Sequence, residues 1–335
     1  MNLNNKRLLI TCGGGLGDMI VYTPSLRRLK EKYPDCQLTF MTKYGNHEVL
    51  EGLPYIDKVI YIKRGKFLGR YRVLPDFFRQ DIIVFTDWQP HLLMFSTLFR
   101  IPVRAGIPRP GHKLNPCLTK HLQTDVYGTV QYVGRTDADL FEEALDIELD
   151  GDMTKLDVSM PDKSVSDEVD ILLERIGVKS NSDYILLSPF AGLQERNWPV
   201  KTAQAFVKNV EEKYGLPVIV MGPKNKDEEA KGISNYNLSG KTTTMQMVEL
   251  IRRARCLITP DSGPMHVAGA LGTKCIALFS KDLPSRWAPR NDCIPVYLGM
   301  SCSPCDDETA RRCNEVACMR QISDSMIIEK LKCVL

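Results

Sequence analysis

Residues 238–279 read LSGKTTTMQMVELIRRARCLITPDSGPMHVAGALGTKCIALF. Apolar spacing predicts a helix over Met245–Arg255, a strand over Cys256–Thr259, a helix over Pro264–Leu271 and a strand over Cys275–Phe279. Helix and strand in strict alternation imply a parallel sheet of the α/β class. The turn Pro260-Asp261-Ser262-Gly263 joins the first strand to a helix with proline in its favoured first-turn place. Asp261 or Ser262 can cap that helix. The unpaired N–H groups near Ser262–Met265, with the helix dipole, suit a phosphate, and His266 in the first turn can donate to one. The plainer alternative is a well-capped structural helix with a core histidine.

The same rhythm extends on both sides. Strands are expected at Tyr184–Ser188 and Val218–Met221, with helices at Val169–Ile176, Val200–Tyr214 and Lys226–Ser234. In the N-terminal half, apolar runs recur at Arg7–Cys12, Leu38–Met41, Lys58–Ile62, Ile82–Phe85 and Val103–Ile107. Helices are expected over Met19–Lys32, kinked by Pro24, and over Thr136–Ile147. The polar stretch Ser159–Glu168 reads as a linker. The expected domains are 1–162, 163–322 with a cysteine-rich segment at 302–318, and a last helix at 323–335. Two Rossmann-like domains facing one another would place a cleft at the C-terminal ends of their strands.

Composition narrows the function classes. The chain has 335 residues, 43% of them apolar and 25% charged, and a net charge of +3. Such balance does not by itself indicate nucleic acid, which is not expected as a partner. Charge is uneven, however: residues 1–121 hold 19 basic and 9 acidic side chains, and residues 122–162 hold 2 and 11. No signal peptide and no apolar run of membrane-spanning length is apparent, so a soluble cytoplasmic protein is expected.

Four other stretches could carry chemistry. Gly13-Gly14-Gly15-Leu16-Gly17-Asp18 follows a strand and opens a helix. It lacks the Lys-Ser/Thr of a P-loop, and Asp18 stands where the dinucleotide fingerprint needs glycine. Asp18 is either a helix N-cap or a catalytic base. Ser188-Pro189-Phe190-Ala191-Gly192 with Arg196-Asn197-Trp198-Pro199 offers Arg196 for a bidentate diphosphate contact, unless it is a surface arginine. Cys302, Cys305, Cys313 and Cys318 have spacing that could hold zinc or iron; free thiols or two disulfides are the alternatives. Lys63–Arg79 interleaves six basic residues with aromatics. It suits an anionic membrane surface, a phosphorylated acceptor, single-stranded nucleic acid or simply a solvated loop.

Taken together, these pieces resemble glycosyltransferase family 9, the ADP-heptose:lipopolysaccharide heptosyltransferases and relatives. GGGLGDMIVYTPSLRRLKEKYP resembles the family's N-terminal motif, NWPVKTAQAFV its Lys-x-Trp-Pro segment, and residues 238–279 its nucleotide-sugar motif. CSPCDDETARRCNEVACMRQIS resembles its C-terminal tail. The resemblance implies a GT-B fold and a last helix that crosses back to the first domain. It implies Asp18 as general base and Ala191, Gly192, Arg196, Thr242, Asp261, Ser262, Gly263 and His266 as donor-binding residues. Gly14, Gly15, Lys63 and Arg64 fall on the acceptor side. No cofactor is required for catalysis. The implied partners are a nucleotide-diphosphate sugar, ADP-heptose favoured, and a glycan or glycolipid acceptor, with peripheral membrane association.

Three positions depart from the family pattern. Cys12 stands where many members have a basic residue, Ser280-Lys281-Asp282-Leu283-Pro284 replaces a Gly-Pro-Thr-x-Pro loop, and Lys224 replaces an acidic ribose contact that Asp227 or Glu228 would take over. Two other readings remain: a non-catalytic nucleotide-sugar-binding protein, and a relative that glycosylates proteins, some of which carry iron on clustered cysteines.

Overall fold

Strand β1 (Arg7–Cys12) is buried along nearly its whole length, as a central strand covered on both faces must be. In the computed structural model, which describes every residue except 44, 63–73, 127 and 291, it pairs in parallel with β2 (Gln37–Thr42) and β4 (Ile82–Phe85). With β3 (Lys58–Tyr61), β5 (Val103–Gly106) and β6 (Lys120–His121) the order is β3-β2-β1-β4-β5-β6. This is the strand order of the dinucleotide-binding fold, with its switch point between β1 and β4. The first unit spans Met1–Ser159. One of its cores gathers Leu9, Met41, Ile60, Phe77, Ile83 and Phe85.

The expected helix over Met19–Lys32 is two helices, Leu16–Val21 and Thr23–Lys32, with Pro24 in the first turn of the second. Proline interrupts the hydrogen-bond ladder there and restarts it.

The second unit spans Met160–Leu335. Its parallel sheet runs β11-β10-β9-β7-β8, from β7 (Ile185–Leu187), β8 (Val218–Val220), β9 (Cys256–Pro260), β10 (Cys275–Phe279) and β11 (Cys293–Tyr297). The chain leaves β7 for β8 on one side and returns to β9 on the other, so the switch point lies between β7 and β9. The stretch expected to be a linker is largely helical: Lys163–Arg175 begins where the Asp162 side chain accepts from the Val165 N–H at 3.0 Å.

That helix is tied to Thr244–Arg253 by Glu249. The fully buried Glu249 carboxylate accepts from Ser166, Arg252 and Arg253 at 2.8, 2.7 and 2.6 Å. Burial works to raise its pKa, but these hydrogen bonds outweigh it and hold the carboxyl at about 2.

The C-terminal helix Asp324–Leu331 packs into the second unit. Ile322, Ile327 and Leu331 enter the core of the second, beside Trp198 and Phe206. The buried Trp198 indole N–H donates to the Ile322 carbonyl at 3.0 Å and fixes the tail there. Ile328 packs against the same core.

Candidate functional site

Each unit presents its motif where the strand order reverses. In the first, the loop after β1 carries Gly13, Gly14 and Gly15, and Gly15 precedes the helix Leu16–Val21. Asp18 is not the N-cap. It sits one turn further on, and its Oδ2 accepts from the Gly15 N–H at 2.7 Å. A Cβ on Gly14 would come within 2.4 Å of the Asp18 carboxyl carbon, and one on Gly13 within 1.7 Å of Asp87 Oδ2. The two glycines therefore make room for two carboxylates, which is why side chains are missing there. Asp87, at the end of β4, also lies 3.5 Å from Lys43 Nζ and accepts from Gln89 at 2.5 Å. Sequence reading missed Asp87; its only signal was its position just beyond a strand.

The charge of this corner is negative. Burial, then Asp18, Asp87 and Asp137, push the Cys12 thiol well above its ordinary pKa and keep it neutral. Cys12 thus supplies none of the positive charge that many family members have at this place. Gly14 and Gly15 line the Asp18 corner, whereas Lys63 and Arg64 lie outside the described residues.

In the second unit, three loops meet at the sheet edge. Asn197 Oδ1 accepts from the Ala191 N–H at 2.8 Å and ties the loop after β7 into a closed turn, with Gly192 exposed at its tip. Arg196 from this loop donates through Nη1 to the Asp261 carbonyl at 3.0 Å and lies 3.2 Å from Asp261 Oδ2. Its Nη2 donates to Asp282 on the loop after β10 at 2.6 Å. Arg196 is therefore no stray surface arginine.

The helix Gly263–Leu271 starts beside this cluster, with Ser262 as its N-cap in an extended conformation. The Ser262 hydroxyl donates to the Pro260 carbonyl at 3.1 Å and makes no capping bond; Pro264 has no N–H and the Met265 N–H donates to the Ser262 carbonyl at 3.0 Å, which leaves the Gly263 N–H at the helix start to face an anion. His266 is 2% exposed, its Nδ1 has no hydrogen-bond partner, and its ring meets Trp287 edge-on at 6.3 Å. Burial, with Arg196 second, holds its pKa at about 4, so the imidazole is neutral at pH 7. Thr242 is half-buried just ahead of Thr243, which caps Thr244–Arg253. Asp227, an expected ribose contact, is engaged by Asn237 at 2.8 Å and Lys231 at 3.2 Å.

The tail corrects the metal expectation. All eleven cysteines are free thiols. Among the described residues no group of three or more His, Cys, Asp or Glu side chains is placed to hold a metal ion. Cys302 and Cys313 are exposed, and Cys305 and Cys318 only half-buried. Ligand-like spacing along the chain did not become a tetrahedron, and no chemistry is assigned to a metal here. Among the described residues, no helix is long and apolar enough to cross a membrane.

A sequence profile of glycosyltransferase family 9 (heptosyltransferase) matches residues 96–314. The chain belongs to glycosyltransferase family 9. This family 9 chain is an enzyme of the glycosyltransferase class. It is 23% identical to the lipopolysaccharide core heptosyltransferase OpsX of Haemophilus influenzae, over 86% of this chain and 82% of that protein. It is 24% identical to lipopolysaccharide heptosyltransferase 2 of Salmonella typhimurium, over 84% and 85%. Among solved structures it resembles the family 9 glycosyl transferase of Veillonella parvula, with a TM-score of 0.84 and 19% identity over 100% and 98% of the two chains. It also resembles the ADP-heptose lps heptosyltransferase II of E. coli, with a TM-score of 0.75 and 19% identity over 98% of each. The fold of this family 9 chain is accordingly GT-B, as the motifs implied.

Proposed function

We propose that this family 9 enzyme transfers heptose from ADP-heptose to a hydroxyl of a lipopolysaccharide core acceptor, with inversion at the anomeric carbon. The observation that carries the reading is the phosphate cradle of the second unit. There, the Arg196 guanidinium, the Gly263 N–H that opens Gly263–Leu271 and the neutral His266 lie beside one switch point. A departing nucleoside diphosphate gains negative charge, and preorganised donors stabilise it more than they stabilise the intact donor. Ala191, Gly192 and Thr242 would border the same donor.

Asp18 is the general base. A sugar hydroxyl is a weak nucleophile at neutral pH and needs a carboxylate within hydrogen-bond reach. The hydroxyl proton passes to Asp18, the oxygen bonds to the anomeric carbon, and the bond to the diphosphate oxygen breaks on the opposite face. Nothing in this step needs a cofactor. The excess of basic side chains in residues 1–121 supports contact with a phosphorylated acceptor and peripheral attachment to an anionic membrane face.

The test is incubation of the purified chain with ADP-heptose and a heptose-free lipopolysaccharide core. Release of ADP and a mass gain of one heptose on the core are expected. Transfer from a UDP- or GDP-sugar instead would defeat the donor assignment, and acceptor-independent ADP release alone would defeat the acceptor assignment.

A further inference from the structure

Asp282 stands on the loop after β10, 86 residues from Arg196 in sequence, and the fold brings the two together. One oxygen, Oδ2, accepts from Arg196 Nη2 at 2.6 Å and lies 3.5 Å from Lys281 Nζ. Lys281 is 7% exposed, and its backbone carbonyl accepts from the Cys305 N–H at 3.0 Å. Lysines are rarely buried so far unless a counter-charge meets them. A single carboxylate oxygen is thus shared by a guanidinium and an ammonium, the donor set that a phosphate oxygen takes.

Within this set of ion pairs the formal charges cancel. Arg196 and Lys281 face Asp261 and Asp282, and the neutral His266 adds none. A diphosphate would meet two cations already paired with carboxylates unless one carboxylate withdrew. The two carboxylates differ in their freedom to do so. Asp261 is 4% exposed and is held to Arg196 through its backbone carbonyl as well. The Asp282 side chain is partly solvent-exposed and its carboxylate is held through the two cations.

We propose that Asp282 is a placeholder for the donor's diphosphate. It holds Arg196 and Lys281 in phosphate-binding positions while the site is empty, and the diphosphate displaces it from both. This rests on the donor-site reading above. Two consequences follow for residues not yet given a role. Lys281 is a phosphate-binding residue, and Asp282 is a positioning residue whose return to the two cations helps expel the nucleoside diphosphate product.

Calorimetric titration of the full chain with ADP and with inorganic pyrophosphate tests this. Asp282→Asn should bind both probes about tenfold more tightly than the wild type, and Lys281→Met about tenfold more weakly. In steady-state transfer, Asp282→Asn should lower kcat and donor KM together, the signature of retained product. A merely structural Asp282 would not tighten binding. Asp282→Ser carries the same expectation should the Asn variant fold poorly. Unchanged or weaker ADP binding in the folded Asp282 variants, with normal wild-type binding, overturns the placeholder alone. No binding of ADP or pyrophosphate to folded wild type overturns the donor-site reading with it.

Discussion

At Asp18 a structural duty and a chemical one fall on the same carboxylate. It accepts the Gly15 N–H and so secures the first turn of Leu16–Val21, and it is the proposed base. Asp18→Asn separates the two. The amide oxygen still accepts the Gly15 N–H, so melting should change little, while transfer should fall by about 100-fold or more. ADP affinity should stay as in the wild type; turnover near normal would remove Asp18 from the chemistry. His266 makes a second prediction. Its folded pKa of about 4 lies below the ordinary 6.5, so the unfolded chain binds the proton more readily. Stability should therefore drop as pH falls from about 6.5 to about 4, by at most about 3 kcal/mol, and level off below. Urea unfolding at pH 7 and pH 4.5 reads this, and His266→Gln should lack that part of the slope.

At the scale of elements, the β1 loop is shaped by what it leaves out. Gly14→Ala would drive a Cβ to 2.4 Å from the Asp18 carboxyl, and the short aspartate side chain can yield only by turning away. Transfer should fall at least about tenfold with ADP binding intact, a pattern that kinetics and calorimetry together would reveal. Several elements were legible and others were not, for identifiable reasons. Val200–Tyr214 falls on its expected bounds because its apolar stripe and the glycine after it both mark a helix. Strand β11 (Cys293–Tyr297) went unseen because it contains Pro295. It is an edge strand, where a missing N–H is tolerated. The start of helix Lys163–Arg175, up to Glu168, read as linker because the buried residues of the helix, Val169 and Leu173, come only after it.

At the scale of the whole molecule, ligand binding and stability are linked. ADP at 100 times its dissociation constant should add about 2.7 kcal/mol to the stability of the unit that binds it, seen as a raised melting temperature. Arg196→Ala should lose most of that shift, since the guanidinium is the cation that gathers Asp261 and Asp282 at the sheet edge. A full shift in the variant would remove Arg196 from the phosphate site. The tail belongs to the same scale. Cys302-x2-Cys305-x7-Cys313-x4-Cys318 describes distances along a chain, whereas a metal needs ligands that converge in space, and among the described residues no group of three is so placed.

The sequence by itself determined the α/β class, the two-unit layout, the family and the loops that hold Asp18, Arg196 and His266. Those features follow from local periodicity and from motifs whose members lie within a few residues of one another. Only the tertiary structure decided that Asp87 and Asp18 flank the glycines of one loop, that Asp282 reaches Arg196, that the last helix packs into the core of the second unit, and that no three tail cysteines among the described residues are placed as metal ligands. Each of these depends on side-chain direction and on strand neighbours far apart in sequence, which β-sheet order sets and linear spacing does not record.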